Sequence, residues 1–122
     1  MLKFELYNPV VEKDGCILRT FMKLFDKSSD EIKDELVILT KSMGNVSYKE
    51  VDVFERYLIS NGYKKIDGNN VLVKDMDILE GEYAVFCYKD DYYHMFPIID
   101  GIIYDKNDNC LNLFVISLYK KN

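Results

Sequence analysis

The amino-acid sequence predicts an α+β domain in which an N-terminal helical lobe of about three helices packs on a small C-terminal antiparallel sheet. In the first half, apolar residues recur at helical spacing. From Glu82 onward, β-branched and aromatic segments alternate with short turn sequences. The chain has 122 residues, is 48% hydrophobic and contains no internal repeat or linker. We therefore expect one domain spanning residues 1–122.

The first predicted helix follows an extended segment from Phe4 to Val11. It begins at Cys16 and carries one apolar stripe, formed by Ile17, Phe21, Leu24 and Phe25. This spacing places the four side chains on one face, which predicts a buried helix from Cys16 to Phe25.

Two further helices are predicted from capping boxes at their starts and glycines after their ends. The signals are Ser28 with Glu31 and Gly44 for the second helix, and Ser47 with Glu50 and Gly62 for the third. In a capping box, the first side chain accepts a hydrogen bond from an amide of the first turn, and the acidic side chain reaches back. Glycine then readily adopts the left-handed conformation that ends a helix.

The remaining segments are predicted to be strands and turns. Residues 63–66 and 71–73 flank a turn-rich tetrad, and a short helical turn is expected over residues 75–79. The strands of an antiparallel meander are expected at Tyr83–Tyr88, Tyr92–Ile99, Ile102–Tyr104 and Leu111–Tyr119. Asp100-Gly101 predicts a tight two-residue hairpin, because both positions tolerate positive φ.

Charge and cysteine content exclude several classes of function. The net charge of −5 disfavours attraction to nucleic-acid backbones or anionic lipid. The longest uncharged run, 109–119, is about half a membrane span, and no signal peptide is evident. Three widely spaced cysteines do not suggest a disulfide framework. We expect a cytoplasmic protein without a cofactor that binds neither nucleic acid nor membrane.

The only histidine is predicted to lie beside two residues able to orient it. Counting pairs outward from the predicted hairpin turn places His94 across from Asn107 and diagonal to Asp105, on one face of the sheet. Pro97 lies between the turn and His94 and cannot donate a ladder hydrogen bond, so an edge or a bulge there would change this register.

Cys16 opens a predicted helix, where unpaired amides and the helix dipole favour a thiolate. With His94 and an Asp or Asn, it completes the set of nucleophile, base and orienter used in acyl transfer. The alternative is that Cys16 is a small buried hydrophobe and His94 a strand residue satisfied by a carbonyl group. Cys87 and Cys110, on predicted strands without neighbouring bases, are expected to be core residues.

Metal sites are not predicted. Asp105, Asn107 and Asn109 resemble the start of a calcium loop, but the glycine and glutamate that such a loop needs are absent. The three cysteines and His94 lack the paired spacing of zinc ligands. Tyrosines gathered near His94 are interpreted as cross-strand packing or as a recognition surface.

The chain resembles short papain-like cysteine peptidase homologues of bacteria and phages, close to the peptidases that remove bacteriocin leader peptides. The matching pieces occur in order along most of the chain: Tyr7-Asn8-Pro9, Cys16-Ile17-Leu18-Arg19, 53–58 with Asn61-Gly62-Tyr63-Lys64, Gly81-Glu82-Tyr83, and His94 with 99–105. The resemblance implies a papain-like fold with Cys16 as nucleophile, His94 as base and Asp105 as orienter.

Some positions depart from this family. Papain-like enzymes carry an upstream glutamine as oxyanion donor, and this sequence contains no glutamine, so Asn8 and the Cys16 backbone N–H are the expected substitutes. Gly15 replaces the Asp that often precedes the cysteine, and Lys106-Asn107 replaces a common Thr-Trp.

The sequence thus predicts a small thiol hydrolase that cleaves a peptide or isopeptide bond through Cys16, His94 and Asp105, with Asn107 as the alternative orienter. A second interpretation is a non-catalytic acidic inhibitor or binding module of phage type, directed at a host protein or defence complex. A third is a dimeric structural protein that uses its tyrosine-rich sheet. The partner in the first two cases is a peptide or a protein.

Overall fold

A computed structural model describes residues 2–13, 15–77 and 80–122. These residues form three helices and one six-stranded mixed sheet, so the predicted α+β class is confirmed. The helices are α1 (Cys16–Phe25), α2 (Ser29–Ser42) and α3 (Val51–Ser60). The strands are β1 (Lys3–Leu6), β2 (Tyr63–Asp67), β3 (Glu82–Lys89), β4 (Tyr92–Ile99), β5 (Ile102–Asp105) and β6 (Phe114–Lys121).

The helix predictions are confirmed at α1 and α2 and need one correction at α3. Ser28 and Glu31 form the expected capping box of α2, and Gly44 follows its end with φ of 72°. Ser47 does not cap α3, which begins one turn later with Glu50 at its N-cap. The hydroxyl of Ser47 instead accepts a hydrogen bond from the Lys49 N–H, because a short turn separates it from the helix.

The sheet is larger and more mixed than predicted. Its strand order is β1-β5-β4-β3-β6-β2, so β6 pairs with β3 and β2 rather than continuing a meander beside β5. β1 pairs with β5 in parallel. In the predicted meander, the strand beside β5 would have been β6. The prediction of a small, wholly antiparallel C-terminal sheet was therefore wrong: both an N-terminal strand and β2 belong to it.

Two local predictions also change. Residues 71–73 are not a strand of the sheet: they contain one isolated bridge, between Leu72 and Phe114, and a 3₁₀ turn covers Val73–Asp75. The helical turn expected over 75–79 falls partly on residues 78 and 79, which lie outside the described residues. A second 3₁₀ turn, Asp108–Asn112, precedes β6, so Cys110 lies on a turn rather than on a strand.

The sheet separates two apolar clusters. On one face, α1, α2 and α3 bury residues such as Phe21, Leu36 and Phe54. On the other face, the two 3₁₀ turns cover a smaller cluster that includes Cys87, Phe96 and Cys110. In the described ranges, no helix has both the length and the apolar character needed to cross a bilayer.

The β4–β5 hairpin has the predicted turn but a shorter ladder. Asp100 and Gly101 both have positive φ, as a type I′ turn requires. Strand pairing then covers Ile99 with Ile102 and Ile98 with Ile103, and it stops beside Pro97, which has no N–H to donate. The part of β4 that precedes Pro97, which includes His94, is therefore not paired with β5.

Candidate active site

Cys16 lies at the first residue of α1, at a helix end that is open to anions. Gly15 is the N-cap and provides no side-chain cap, and the first turn of α1 contains no acidic residue. The amides of this turn and the helix dipole therefore favour negative charge at the Cys16 sulfur.

Gly15 allows the chain to turn tightly into α1. A Cβ at this position would lie 2.5 Å from Val11 Cγ2 and 2.8 Å from the Glu12 carbonyl oxygen. Neither distance is compatible with a side chain unless the loop moves. The departure from the Asp found in the resembled family thus has a steric reason in this chain.

Glu12 anchors the loop that leads to Cys16. Its carboxylate accepts hydrogen bonds from the Tyr48 hydroxyl and, at 2.9 Å, from the Lys33 ammonium. The bond from Tyr48, followed by that from Lys33, lowers the pKa of Glu12. The loop is thereby attached to α2 and to the connection between α2 and α3.

His94 lies on β4 and is held on two sides. Its Nε2 is 2.7 Å from Asp105 Oδ2, and the two side chains are 6% and 3% exposed. Its Nδ1 is 3.3 Å from the Tyr92 hydroxyl. The ring stacks against Tyr92 and Phe96, which precede and follow it by two residues on the same strand.

Asp105 is the last residue of β5, and backbone contacts fix its position. Leu6 of β1 is its parallel partner, and the Tyr7 N–H donates to the Asp105 carbonyl at 2.8 Å. The second carboxylate oxygen, Oδ1, accepts a 2.8 Å hydrogen bond from the Lys106 N–H. With one oxygen satisfied by the backbone, the other remains directed at His94.

Cys16 meets His94 where β4 is free of β5. Both residues line one cavity, and the Met95 backbone N–H of β4 helps to lower the pKa of the Cys16 thiol. Hydrogen bonding and charge from His94 lower the pKa of the Cys16 thiol, which indicates that the two side chains lie close together.

The electrostatics of the pair favour charge separation. Burial acts to raise the pKa of the Cys16 thiol, but hydrogen bonding and charge from His94, the Met95 N–H and the Arg19 charge together lower it. Burial acts to lower the pKa of His94, whereas Asp105 and Cys16 raise it to about 9. Near neutral pH these shifts favour a thiolate beside an imidazolium.

The cavity beside this pair has a volume of about 650 Å³. Its apolar lining residues include Val51, Phe54, Phe86 and Met95, and its Lys, Arg, Asp and Glu residues are Arg19, Lys49, Glu50, Asp91 and Lys106. An extended chain segment with mixed side chains fits such an open, mostly apolar cleft.

The structure distinguishes between the two predicted orienters. Asp105 contacts His94, whereas the Asn107 side chain accepts a hydrogen bond from the Asn109 N–H. The register that set His94 opposite Asn107 was therefore wrong, because pairing ends at Pro97 and the chain turns after Asp105. The shared face of His94 and Asp105 is confirmed.

The other predicted site residues lie apart from the cleft. Asn8 is exposed, and the lining of the cavity does not include it, so its assignment as an oxyanion donor gains no support. The backbone amides that begin α1 are covalently next to Cys16 and are better positioned. Cys87 and Cys110 are buried, as expected of core residues.

Two residues of the site were missed at the sequence level. Tyr92 has the i+2 spacing to His94 that places both on one strand face, which was a usable signal. Arg19 follows Cys16 by three residues, the spacing of neighbours on a helix face, so it too was accessible from the sequence.

Within the described ranges, no group of three or more His, Cys, Asp or Glu side chains is arranged to hold a metal ion. Comparisons of the chain with protein-family models, with curated proteins and with solved structures found no match.

Proposed function

We propose that this protein is a cysteine peptidase with a papain-like fold that cleaves a peptide or isopeptide bond through a thioacyl intermediate. One observation carries the proposal: Cys16 from α1 and His94 from β4 line one cleft, and Asp105 from β5 holds the imidazole at 2.7 Å. Nucleophile, base and orienter in this arrangement are the requirement for acyl transfer by a thiol.

In the first half of the reaction, the Cys16 thiolate attacks the carbonyl carbon of the scissile bond. The C=O π electrons move to oxygen, and the amides at the start of α1 stabilise this oxyanion. The His94 imidazolium then gives its Nδ1 proton to the leaving nitrogen as the C–N bond breaks. The amine leaves, and the acyl group remains bonded to sulfur.

In the second half, a water molecule enters the place of the amine. Neutral His94 accepts a proton from the water at Nδ1 while the water oxygen bonds to the acyl carbon. The C–S bond then breaks, which releases a carboxylic acid and restores the Cys16 thiolate beside an imidazolium. Asp105 keeps Nε2 protonated throughout, so that Nδ1 is the nitrogen that exchanges protons.

The surroundings of the site agree with this chemistry. All three cysteines are free thiols, as a thiol enzyme in a reducing compartment requires, and we place the protein in the cytoplasm. The cleft volume of about 650 Å³ is sufficient for several side chains of a bound peptide segment.

Alkylation of Cys16 tests the nucleophile. We expect iodoacetamide at pH 6 to modify Cys16 at least about tenfold faster than it modifies N-acetylcysteine, because a larger fraction of Cys16 is thiolate. Mass spectrometry identifies the modified residue, and His94→Gln should remove most of the acceleration. Labelling of Cys16 by a mixed library of peptidyl acyloxymethyl ketones, with Cys16→Ala as control, tests the peptide substrate class.

Equal rates for Cys16 and N-acetylcysteine at pH 6 would show that Cys16 is not an activated nucleophile. The second candidate, an acidic binding module, would then be favoured by the exposed carboxylates Asp30, Glu31 and Asp34 on α2. It predicts that Cys16→Ala leaves the biological effect intact, and that reversing these three charges abolishes it.

A further inference from the structure

We infer that the cleft selects acyl donors that carry a carboxylate beside the scissile carbonyl, bound by Arg19 with Lys106 at the rim. This inference rests on the proposed function and specifies its substrate class. It follows from the placement and the partners of the cationic side chains around Cys16.

Arg19 is an unusual side chain for its position. It lies on α1 three residues after Cys16, is 8% exposed and lines the cavity. Among the residues that the structure describes, no carboxylate lies within ion-pair distance of its guanidinium group. The guanidinium nitrogens are not sealed from solvent, so they remain available at the cleft to bind an anion.

The charge of the cleft differs from that of the whole protein. The chain carries −5 in total, yet the cavity lining has three Lys or Arg side chains and two carboxylates. One of these carboxylates, Glu50, is occupied: it accepts hydrogen bonds from the Asn45 side chain and from the N–H groups of Val46 and Ser47. These donors are neutral, so they fix the Glu50 side chain without cancelling its charge. The Lys and Arg groups of the lining still exceed its carboxylates by one, which makes the net charge of the lining positive.

Guanidinium groups bind carboxylates with two parallel hydrogen bonds, which gives both orientation and affinity. The cavity lining also includes the apolar side chains Val51, Phe54 and Phe86. The substrate class that fits both kinds of lining is an acidic peptide segment with a large apolar neighbour near the reacting bond.

The test compares iodoacetate with iodoacetamide as alkylating agents of Cys16. The two reagents share a leaving group and have similar size, but only iodoacetate carries a carboxylate. Each alkylation rate of Cys16 is first divided by the rate of the same reagent with N-acetylcysteine, and the normalised iodoacetate rate is then divided by the normalised iodoacetamide rate. We expect this ratio to be about tenfold higher in the unmodified protein than in the Arg19→Met variant, which is the effect of one close charge pair.

Lys74→Met is the matched control, since it removes one positive charge from an exposed position outside the cavity lining. It should leave the ratio unchanged, and Arg19→Lys should restore part of it. An equal ratio in the unmodified protein and in Arg19→Met would overturn the inference. If Arg19→Met does not fold, salt replaces the variant: the ratio in the unmodified protein must fall between 0.05 and 0.5 M NaCl, and a constant ratio overturns the inference.

A second measurement addresses the substrate directly. A short peptide aldehyde ending in aspartate should protect Cys16 from iodoacetamide at lower concentration than its asparagine counterpart, and equal protection would contradict the inference. Failure of the proposed function is distinguishable from failure of this inference: the neutral reagent alone reports the nucleophile, whereas the ratio of the two reagents reports the carboxylate site.

Discussion

Two regions of this molecule place thiols in opposite environments. Cys16 lies where α1 meets β4, beside His94, the Met95 N–H and Arg19, and these neighbours outweigh burial so that its pKa falls. Cys87 and Cys110 lie in the apolar cluster on the other face of the sheet. Burial raises both pKa values, followed by the neighbouring Cys110 in the case of Cys87 and by Asp105 in the case of Cys110.

The contrast is sharpest for Cys87, which is the direct strand partner of His94. Its sulfur donates to the His94 backbone carbonyl at 3.3 Å and gains nothing from the imidazole, which is engaged by Asp105 and Tyr92. Proximity along a sheet is therefore insufficient to activate a thiol. The direction of the donors and the local charge decide whether a cysteine is reactive or structural.

The largest expected effect separates the two kinds of cysteine by substitution. Cys16→Ala should reduce hydrolysis of a cleavable peptide by about 10⁴-fold or more, because the nucleophile is lost, while stability changes little. Cys87→Ala should leave the rate per folded molecule unchanged and lower the free energy of unfolding by about 1–2 kcal/mol, because it opens a cavity in a packed core. Peptide turnover and urea unfolding followed by circular dichroism measure the two effects. If Cys87→Ala loses activity and Cys16→Ala keeps it, the assignment of Cys16 as the reactive thiol and Cys87 as a structural one is wrong.

The next effect concerns the orienter. Asp105→Asn should reduce turnover by about 10²- to 10⁴-fold, since it removes the group that holds the protonation state of His94. It should also shift the His94 titration from about 9 toward more acidic pH. The protein has a single histidine, so its ring proton resonances report this pKa by NMR without assignment. An unchanged titration would show that Asp105 does not control the imidazole.

Stability against pH checks the same contact. The pKa of His94 is about 9 in the folded protein and about 6.5 in the unfolded chain. Its stabilising contribution is therefore complete below pH 6.5 and is lost as pH rises toward 9. In a Cys16→Ala background, which removes the opposing thiol titration, we expect Asp105→Asn to reduce this loss by about 1–3 kcal/mol. If the free energy of unfolding depends on pH in the same way with Asp105 and with Asn at position 105, Asp105 does not raise the pKa of His94.

A smaller effect tests whether the close packing of Gly15 against the preceding loop positions Cys16 in the cleft. Gly15→Ala should lower the free energy of unfolding by about 1–3 kcal/mol and slow alkylation of Cys16, because the added Cβ overlaps Val11 and the Glu12 carbonyl. Adding Val11→Ala to this variant relieves one of the two contacts and should recover part of the loss. If Gly15→Ala has the stability and the Cys16 reactivity of the unmodified protein, the close approach does not constrain the site.

The smallest effect concerns Tyr92. Tyr92→Phe removes the 3.3 Å contact at His94 Nδ1, the ring nitrogen that Asp105 does not engage, and leaves this nitrogen available to the thiol. We expect a rise of about two- to threefold in Cys16 alkylation at pH 6, in keeping with a contact weaker than about 1 kcal/mol. Tyr93→Phe is the control, because its ring stacks on Phe86 and Tyr88 instead. A strong loss of reactivity in Tyr92→Phe would mean that this hydroxyl positions the imidazole.

Local signals predicted the features that depend on neighbours in sequence. The capping box at Ser28, the stripe of α1 and the Asp100-Gly101 turn are each decided within a few residues, and all three are present. Strand alternation correctly predicted that His94 and Asp105 lie on the same face of the sheet. The alternation of side chains continues in β4 and β5 even where the two strands are no longer paired. These regularities were enough to propose the catalytic set.

Pairing between distant segments was not predictable in the same way. Nothing local indicates that β1 joins β5 in parallel, or that β6 inserts between β3 and β2, since many strand orders bury the same apolar faces. The prediction that Asn107 lies opposite His94 was wrong for a related reason. It assumed that β4 and β5 pair continuously from the turn to His94, whereas their pairing ends at Pro97.

The sequence by itself therefore determined the helices and the hairpin turn, because backbone geometry and periodicity set these locally, and it provided the thiol, imidazole and carboxylate that the proposal uses. Only the tertiary structure decided that α1 brings Cys16 to the part of β4 that β5 has left, and that Arg19 enters the same cleft. The physical reason is that the pKa of a thiol depends on donors and charges within a few ångströms, and here most of these come from segments nearly 80 residues apart along the chain.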